Sequence, residues 1–497
     1  MQEKPLQEFW KVSFETVPAM FAQAVHNAAE KPFCKSGSGT LSYGEAALAV
    51  NGFAEWLGTN IKGRPVALVL PNSTAFLIAY YGVLFAGGMP ALVNYAHPDA
   101  TIAKLVEDLD VAMILSDRDI DGLTTRYFND ETVHRLASSG VAGGLEPQTS
   151  ASDIGAILFS GGTTGLPKRV PHSNLVLTRK IERMEWGWPT HENEVWLPVA
   201  PFTHIYGFLM GVLNPVLRCG SIVIPPKFQP DLILDMLADE AITIFGGGPP
   251  AIYQGIMASE KFKDAVFPNL RVCPGGGAPF PVDVHQRWQA ATGLPITEGY
   301  GMTEIAPISV NTVSDGIRAG AAGKAVPDTI IEIVDVHAGY KVLGVGDVGE
   351  IRVKGPHVMT GYEGNEKETA ETLRNGFVYT GDIGSIDADG FLTISDRKKD
   401  VLFVKGFNVF PREIEETLLS HPVVSGACVV GREDERAGEL PVAFVTLNGQ
   451  IQNVSEIMEH CRLHLANYQQ PADIVVLESL PLTPAGKVDR QTLRSRV

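Results

Sequence analysis

Cysteine is scarce in this chain of 497 residues and shows no spacing pattern. The five cysteines lie far apart and form no Cys-x-x-Cys pair, which argues against a disulfide framework and against a structural zinc site. Basic residues are also few, 40 against 57 acidic ones, and the resulting net charge of −17 argues against nucleic-acid binding. Long apolar runs are absent too. The stretch from Phe76 to Val93 is interrupted by Gly87-Gly88-Met89-Pro90, so we expect a buried helix and strand there and no integral membrane segment.

The N-terminus, Met1-Gln2-Glu3-Lys4-Pro5, lacks the charged and then apolar segments of a signal peptide. Together with the unpatterned cysteines, this predicts a cytoplasmic protein. The composition, 45% hydrophobic and 20% charged, is typical of a folded globular chain. The length predicts several domains.

What is present is a regular alternation of helical and strand patterns. From about residue 41 to 117, and again from 194 to 273, amphipathic stretches alternate with short apolar runs, the pattern of buried strands joined by crossover helices. After about Asn311 the runs are shorter and separated by turn residues, which indicates a β-rich subdomain. We therefore predict an α/β fold. A large N-terminal domain, residues 1–395, is followed by a hinge at residues 396–400 and a small mobile α+β domain, residues 401–497.

A loop rich in glycine and threonine follows the apolar run at residues 156–159. Backbone N–H groups freed by glycine, hydroxyl groups and a lysine suit an anion, and carboxylates are absent. The loop is not a Walker A motif, because Leu166 and Pro167 precede Lys168 and Arg169 follows it. From these residues alone, a phosphate loop and an ordinary surface turn are equally supported. The candidate donors are Ser160, Gly161, Gly162, Thr163, Thr164, Gly165 and Lys168.

Further segments follow this loop in a set order, and together they resemble a known family. In order and spacing they are similar to the core motifs of the adenylate-forming superfamily, which includes acyl-CoA synthetases, aryl-CoA ligases, carrier-protein adenylation domains and firefly luciferase. The resemblance covers nearly the whole chain. It implies that ATP activates a carboxylic acid as an acyl-adenylate, with release of pyrophosphate, and that the acyl group then passes to the thiol of coenzyme A. The segments are Pro201–Gly207, Gly275–Pro279, Gly299–Glu304, Tyr379–Asp382, Asp396–Asp400, Gly406–Glu415 and Pro484–Lys487.

The resemblance implies roles on the phosphate side of the reaction. The loop at residues 160–168 would hold the β- and γ-phosphates. Glu304, a hard oxygen donor, would ligate Mg²⁺, and the Thr303 hydroxyl would reach the α-phosphate. Lys487 would bridge the carboxylate of the acid and the α-phosphate, where its charge stabilises the transition state. Outside its motif, Glu304 would fit an ordinary solvated loop carboxylate.

The resemblance also implies a nucleoside site. Glycines permit close backbone approach to a flat base, and an aromatic ring can stack on it. Asp382 would accept hydrogen bonds from the ribose hydroxyls, as carboxylates do in dinucleotide folds. The residues implied for the base are Gly276, Gly277, Ala278, Tyr300 and Gly301.

The resemblance also implies roles for three C-terminal residues in the step from adenylate formation to thioester formation. Arg397 would bind the ribose or phosphate side, and Lys399 would be the hinge about which the small domain rotates. Gly406 would leave room for the pantetheine arm of coenzyme A. The alternative for residues 397–400 is an exposed charged turn.

The acid itself stays open. His204 matches a position that flanks the acid pocket in the family, and its alternative is a packed core histidine. Phe202-Thr203-His204 offers no carboxylate for an ammonium group, so an amino-acid substrate is disfavoured. Fatty acyl and aryl acids both fit. A carrier protein's phosphopantetheine remains an alternative acceptor, and a silent nucleotide-binding module is the alternative from another class.

Overall fold

The computed structural model describes residues 14–139, 146, 149–160, 167–239, 241–336, 338–405, 407–434, 436–448, 454–482 and 488–497. The chain divides into two compact units. Unit 1 comprises residues 1–331 and 353–378, and unit 2 comprises residues 332–352 and 379–497. The predicted hinge at residues 396–400 lies within unit 2 and stays a prediction.

The helices and strands are numbered here in chain order. The helices are α1 (Val17–Ala28), α2 (Tyr43–Leu57), α3 (Thr74–Phe85), α4 (Asp99–Glu107), α5 (Asp130–Ser139), α6 (Asn174–Gly187), α7 (Ile205–Phe208), α8 (Asn214–Leu217), α9 (Pro230–Asp239), α10 (Pro250–Met257), α11 (Val282–Thr292), α12 (Glu366–Thr372), α13 (Pro411–Leu419), α14 (Val454–His464) and α15 (Arg490–Arg494). The strands are β1 (Pro32–Ser36), β2 (Gly39–Ser42), β3 (Pro65–Val69), β4 (Met89–Leu92), β5 (Met113–Ser116), β6 (Arg126–Tyr127), β7 (Ile154–Ser160), β8 (Lys168–Ser173), β9 (Val195–Pro198), β10 (Ser221–Val223), β11 (Ile244–Gly246), β12 (Cys273–Gly276), β13 (Ile296–Met302), β14 (Ile305–Val310), β15 (Lys324–Ala325), β16 (Ile330–Val334), β17 (Gly349–Lys354), β18 (Leu373–Arg374), β19 (Phe377–Ile386), β20 (Leu392–Arg397), β21 (Leu402–Val404), β22 (Phe407–Val409), β23 (Val424–Asp434), β24 (Gly438–Leu447) and β25 (Asp473–Val476).

Three sheets lie within unit 1. Their strand orders are β6-β5-β3-β4-β7-β8, β11-β9-β10-β1-β2 and β12-β13-β14-β15. In the first sheet, β3 pairs in parallel with both β4 and β5, as expected for strands joined by crossover helices. The antiparallel hairpin of β7 and β8 closes that sheet, and β12 pairs in parallel with β13. These last two strand pairs carry the predicted phosphate and base segments.

The apolar stretch from Phe76 to Val93 forms the predicted helix and strand, α3 and β4. Every residue of α3 is buried, because the helix packs among other elements of the unit 1 core. Helix α2 approaches it closely: a Cβ at Gly82 would lie 2.4 Å from the Phe53 ring. In the described part of the chain, no helix has the length and apolar character needed to cross a membrane.

Unit 2 contains a sheet in the order β22-β21-β24-β23, with β25 paired to β24. Helices α13 and α14 contribute Ile414, Leu418, Ile457 and Cys461 to its apolar core. Strand β20 pairs antiparallel with β19, and a turn at residues 398–400 leads from β20 towards β21. The basic stretch at residues 396–400 therefore begins at the end of one strand and continues into a turn.

Asp396 is a buried carboxyl group at the end of β20. It accepts hydrogen bonds from the backbone N–H groups of Arg397, at 2.7 Å, and of Arg412, in the first turn of α13, at 2.9 Å. Burial raises the pKa of Asp396 to about 6, although both hydrogen bonds oppose this shift. The carboxyl group therefore links β20 to the beginning of α13.

We expect the stability of this link to fall as the pH rises through about 6. The folded chain holds the Asp396 proton more tightly than the unfolded chain, so the contribution is complete below the unfolded pKa and is lost above the folded one. At about 1.4 kcal/mol per pKa unit, the contribution of Asp396 to the free energy of unfolding changes by at most about 3 kcal/mol. The Asp396→Asn variant cannot titrate and should lack this dependence.

Hydrogen exchange of the α13 amides, corrected for intrinsic rates and followed from pH 4.5 to 7.5, measures the effect. Tryptophan fluorescence would not report it, because every tryptophan precedes residue 289. Asp473→Asn is the matched control, since Asp473 is exposed. Equal pH dependence in wild type and Asp396→Asn would contradict the prediction.

Candidate functional site

The two ends of the predicted phosphate loop are the paired ends of a hairpin. Ser160 is the last residue of β7 and lies opposite Lys168, the first residue of β8. Ser160 is buried, whereas the Lys168 side chain is 28% exposed. Between them, Gly161, Gly162, Thr163, Thr164 and Gly165 lie outside the described residues, and their phosphate role stays a prediction.

Lys168 has two contacts within unit 1. Its ammonium group forms an ion pair with Glu368 of α12, at 2.7 Å, and lies 4.5 Å from the centroid of the Tyr362 ring. Both contacts are formed by residues that follow the loop by about 200 positions. A bound phosphate would compete with Glu368 for the Lys168 ammonium group. It would not compete with the uncharged Tyr362 ring, which can stay in contact with that group.

Glu304 lies in the turn between β13 and β14 and is 4% exposed. Tyr362 donates a hydrogen bond from its hydroxyl to Glu304 Oε1, at 2.6 Å. The backbone carbonyl of Glu304 accepts a second bond from Met359 N–H, at 2.8 Å. Thr303, its neighbour, is half-buried. Glu304 is therefore a buried and oriented carboxylate, and not the solvated loop residue that its isolated sequence would suggest.

The single carboxylate of Glu304 suits a Mg²⁺ ion whose other ligands come from the substrate. Within the described ranges, no group of three or more histidine, cysteine, aspartate or glutamate side chains could hold a metal ion. Mg²⁺ is commonly bound by one or two carboxylates together with substrate phosphates, and a carboxylate oxygen is a ligand of the required hardness. Glu304 meets this requirement.

A fully buried lysine lies near Glu304, and sequence reasoning missed it. Lys180 of α6 is fully buried, which lowers its pKa to about 7, while the nearby Glu304 carboxylate opposes that shift. His172 and His357 are also fully buried. Burial, and then the charge of Lys180, lower the pKa of both imidazoles well below the ordinary value, so both are neutral. Lys180 thus lies near both the Glu304 carboxylate and two neutral imidazoles.

The predicted base segments meet at one edge of the β12–β13 pair. Gly276, the last residue of β12, lies opposite Gly299 of β13, so Gly277 and Ala278 follow β12 at the position where Tyr300 continues β13. A Cβ at Gly276 would lie 2.8 Å from the Gly299 carbonyl oxygen, and Gly277 has a φ of +84°, so both positions favour glycine. The structure therefore brings together the residues that the resemblance implied for the base.

His204 and Tyr206 occupy different positions although they belong to one motif. His204 is exposed and caps α7, accepting a hydrogen bond at Nδ1 from Tyr206 N–H, at 3.2 Å, so the packed core alternative does not hold. Tyr206 packs its ring near Gly248 and Gly276 and donates from its hydroxyl to the Pro274 carbonyl, at 2.9 Å. Sequence reasoning missed Tyr206. Its position two residues after His204 in Pro201–Gly207 was the available signal.

Two predicted residues of unit 2 lie in contact. Asp382 of β19 is 3% exposed, lies opposite Arg397 of β20, and forms an ion pair with its guanidinium group at 2.7 Å. The implied ribose carboxylate is thus paired with the implied ribose or phosphate cation. Lys399 is exposed in the turn that follows. Gly406 and Lys487 lie outside the described residues, so their roles stay predictions.

Comparison with known families identifies the family of this chain. A model of the AMP-binding enzyme family matches residues 21–363, and a model of the AMP-binding enzyme C-terminal domain matches residues 413–487. The chain belongs to the AMP-binding enzyme family.

Individual relatives are similar over most of their length. The chain is 32% identical to a long-chain-fatty-acid–CoA ligase of Bacillus subtilis, covering 87% of this chain and 85% of the relative. It is 31% identical to a probable 4-coumarate–CoA ligase of Dictyostelium discoideum, covering 87% and 86%. The ATP-bound crystal structure of MatB from Rhodopseudomonas palustris superimposes with a TM-score of 0.89 at 27% identity, covering 97% of this chain and 99% of MatB. The predicted family, α/β fold and enzyme class, an AMP-forming acid–CoA ligase, are confirmed.

Proposed function

We propose that this protein activates a fatty acyl or aryl acid with ATP and Mg²⁺, and transfers the acyl group from the adenylate to coenzyme A. The observation that carries the proposal is the contact of Tyr362 with both Glu304 and Lys168. It joins a buried carboxylate that suits Mg²⁺ to a lysine at the end of the loop implied to hold phosphates.

Each residue would then act on a particular part of ATP or of the acid. Lys168, with the loop after Ser160, would bind the phosphates that leave as pyrophosphate. Glu304 would hold Mg²⁺, which neutralises phosphate charge when bound. Thr303 would reach the α-phosphate. Lys487 would place its charge where negative charge grows during attack by the carboxylate.

The roles at the nucleoside follow from the family resemblance. Gly276, Gly277 and Ala278 would lie along the base, and Tyr300 would stack on it. The ribose hydroxyls would bind at Asp382, whose partner Arg397 offers further donors on the phosphate side.

The relatives support both kinds of acid. One is named for long-chain fatty acids and another for 4-coumarate, at 32% and 31% identity, so overall similarity does not separate fatty acyl from aryl substrates. The position of His204 is consistent with either. The proposal therefore includes both fatty acyl and aryl acids, and the experiment below separates them.

The test is a panel of fatty acids of increasing length and of aryl acids, each incubated with ATP and Mg²⁺ with and without coenzyme A. We expect pyrophosphate release with one class of acid and formation of its acyl-CoA only when coenzyme A is present. Release that coenzyme A does not change, without acyl-CoA, would favour a carrier protein as acceptor. No release with any acid would favour a silent nucleotide-binding module.

A further inference from the structure

Tyr362 has contacts on two sides of the candidate site. Its side chain is almost fully buried, at 6% exposure. Its hydroxyl binds Glu304 Oε1, at 2.6 Å, and its ring centroid lies 4.5 Å from the Lys168 ammonium. All three residues belong to unit 1.

Residues of helix α12 bind both Tyr362 and Lys168. Thr369 of α12 accepts a hydrogen bond at its hydroxyl from Tyr362 N–H, at 2.9 Å. The neighbouring residue, Glu368, forms the ion pair with Lys168. The positions of the ring and of the ammonium group are therefore both set by one short helix.

The Glu304 carboxylate has two kinds of interaction, a charge attraction to Lys180 and a hydrogen bond from Tyr362. Lys180 attracts its carboxylate, but Lys180 Nζ has no hydrogen-bond partner within the described ranges. A charge attraction of this kind has little directional preference. A hydrogen bond from a hydroxyl to a carboxylate is short and directional. The Tyr362 hydroxyl therefore orients the carboxylate, whereas Lys180 contributes charge.

Tyr362 also stays a hydrogen-bond donor under ordinary conditions. Its pKa is raised by burial and, next, by the negative charge of Glu304. The hydroxyl therefore keeps its proton at any pH at which the protein would be assayed.

We propose that Tyr362 is a positioning residue that orients Glu304 for the metal through its hydroxyl and Lys168 for the phosphates through its ring. The inference rests on the proposed function and deepens it. Tyr362 does not contact reacting atoms itself: it acts through the two residues that do. When phosphate displaces Glu368 from Lys168, the ring contact would persist and keep the ammonium group in place.

The test separates the hydroxyl from the ring. Mn²⁺ serves as the probe, followed by electron paramagnetic resonance with α,β-methylene-ATP, which cannot release pyrophosphate. Loss of a group that orients a metal ligand typically weakens metal binding by about 10- to 100-fold, and we expect Tyr362→Phe to fall in this range. The same variant keeps the ring, so its affinity for metal-free α,β-methylene-ATP should not change.

Removal of the ring should add a second effect. Relative to Tyr362→Phe, we expect Tyr362→Leu to weaken binding of the metal-free analogue by about two- to fivefold, the scale of a partly exposed cation–π contact. Tyr340→Phe is the matched control, because Tyr340 is 77% exposed and lies in unit 2. Tryptophan-fluorescence unfolding checks that unit 1, which contains every tryptophan and Tyr362, folds in both Tyr362 variants.

A double-mutant cycle distinguishes a positioning role from a structural one. In the Glu304→Gln background, the effect of Tyr362→Phe on Mn²⁺ binding should largely disappear. An undiminished effect there, or wild-type Mn²⁺ affinity in Tyr362→Phe, would overturn the role of Tyr362 alone. Unchanged Mn²⁺ affinity in Glu304→Gln would overturn both this role and the proposed metal site.

Discussion

Lys487→Ala is expected to slow acyl-adenylate formation by roughly 10²-fold or more, the scale on which preorganised charges stabilise transition states. The expectation rests on the motif Pro484-Ala485-Gly486-Lys487, in which the resemblance implies that lysine bridges the acid and the α-phosphate. The carboxylate and the α-phosphate are both negative, so their approach is opposed unless a cation lies between them. Alanine removes that cation and leaves the ATP loop and the hinge unchanged.

The second half-reaction should respond differently. If the small domain rotates about Lys399 after adenylation, Lys487 has left the site when coenzyme A attacks. Thioester formation from supplied acyl-adenylate should therefore persist in Lys487→Ala. Each half-reaction is measured by itself, as pyrophosphate release and as acyl-CoA formed from the adenylate. Lys263→Ala, which removes a lysine that is 70% exposed, is the control. Equal loss of both half-reactions would rule out the rotation.

Glu304→Gln is expected to lower the rate of pyrophosphate release by about 10²- to 10³-fold, with a rise in the Mg²⁺ concentration needed for half-maximal rate. The amide has nearly the same shape and can still accept the hydrogen bond from Tyr362. What it lacks is the negative charge that binds a divalent cation. The variant therefore isolates charge from packing.

The fold should tolerate this substitution because Lys180 can lose its proton. Its pKa is already about 7 as a result of burial, and loss of the Glu304 charge would lower it further. A neutral amine then remains beside a neutral amide, so no unpaired buried charge remains. Pyrophosphate release is measured across a range of Mg²⁺ concentrations. Glu371→Gln, at an exposed position of α12, is the control. A wild-type rate and Mg²⁺ requirement in Glu304→Gln would remove Glu304 from the proposed metal site.

The local elements could be predicted well from sequence. The helix and strand expected between Phe76 and Val93 are observed as α3 and β4. The apolar run at residues 156–159, which precedes the glycine-rich loop, lies within β7, and β7 extends to Ser160. These features depend on apolar periodicity and on turn residues, which are local properties of the chain.

The sites of chemistry were indicated by motifs and not by periodicity. A single glycine-rich loop left a phosphate site and a plain turn equally supported, and only the order of the later segments favoured one of them. Contacts between distant residues were not predictable in this way. Tyr362 lies 58 positions from Glu304 and almost 200 from Lys168, and no spacing rule relates them.

The sequence by itself determined the α/β class, the motif order and the residue types that suit activation of an acid by ATP. Only the tertiary structure decided that Glu304 is buried, bonded to Tyr362 and near Lys180, that Asp382 pairs with Arg397, and that Tyr206, not His204, packs against the glycine segments. The physical reason is that local pattern sets helices and strands, whereas the neighbours of a buried charge are set by how the strands pair and pack.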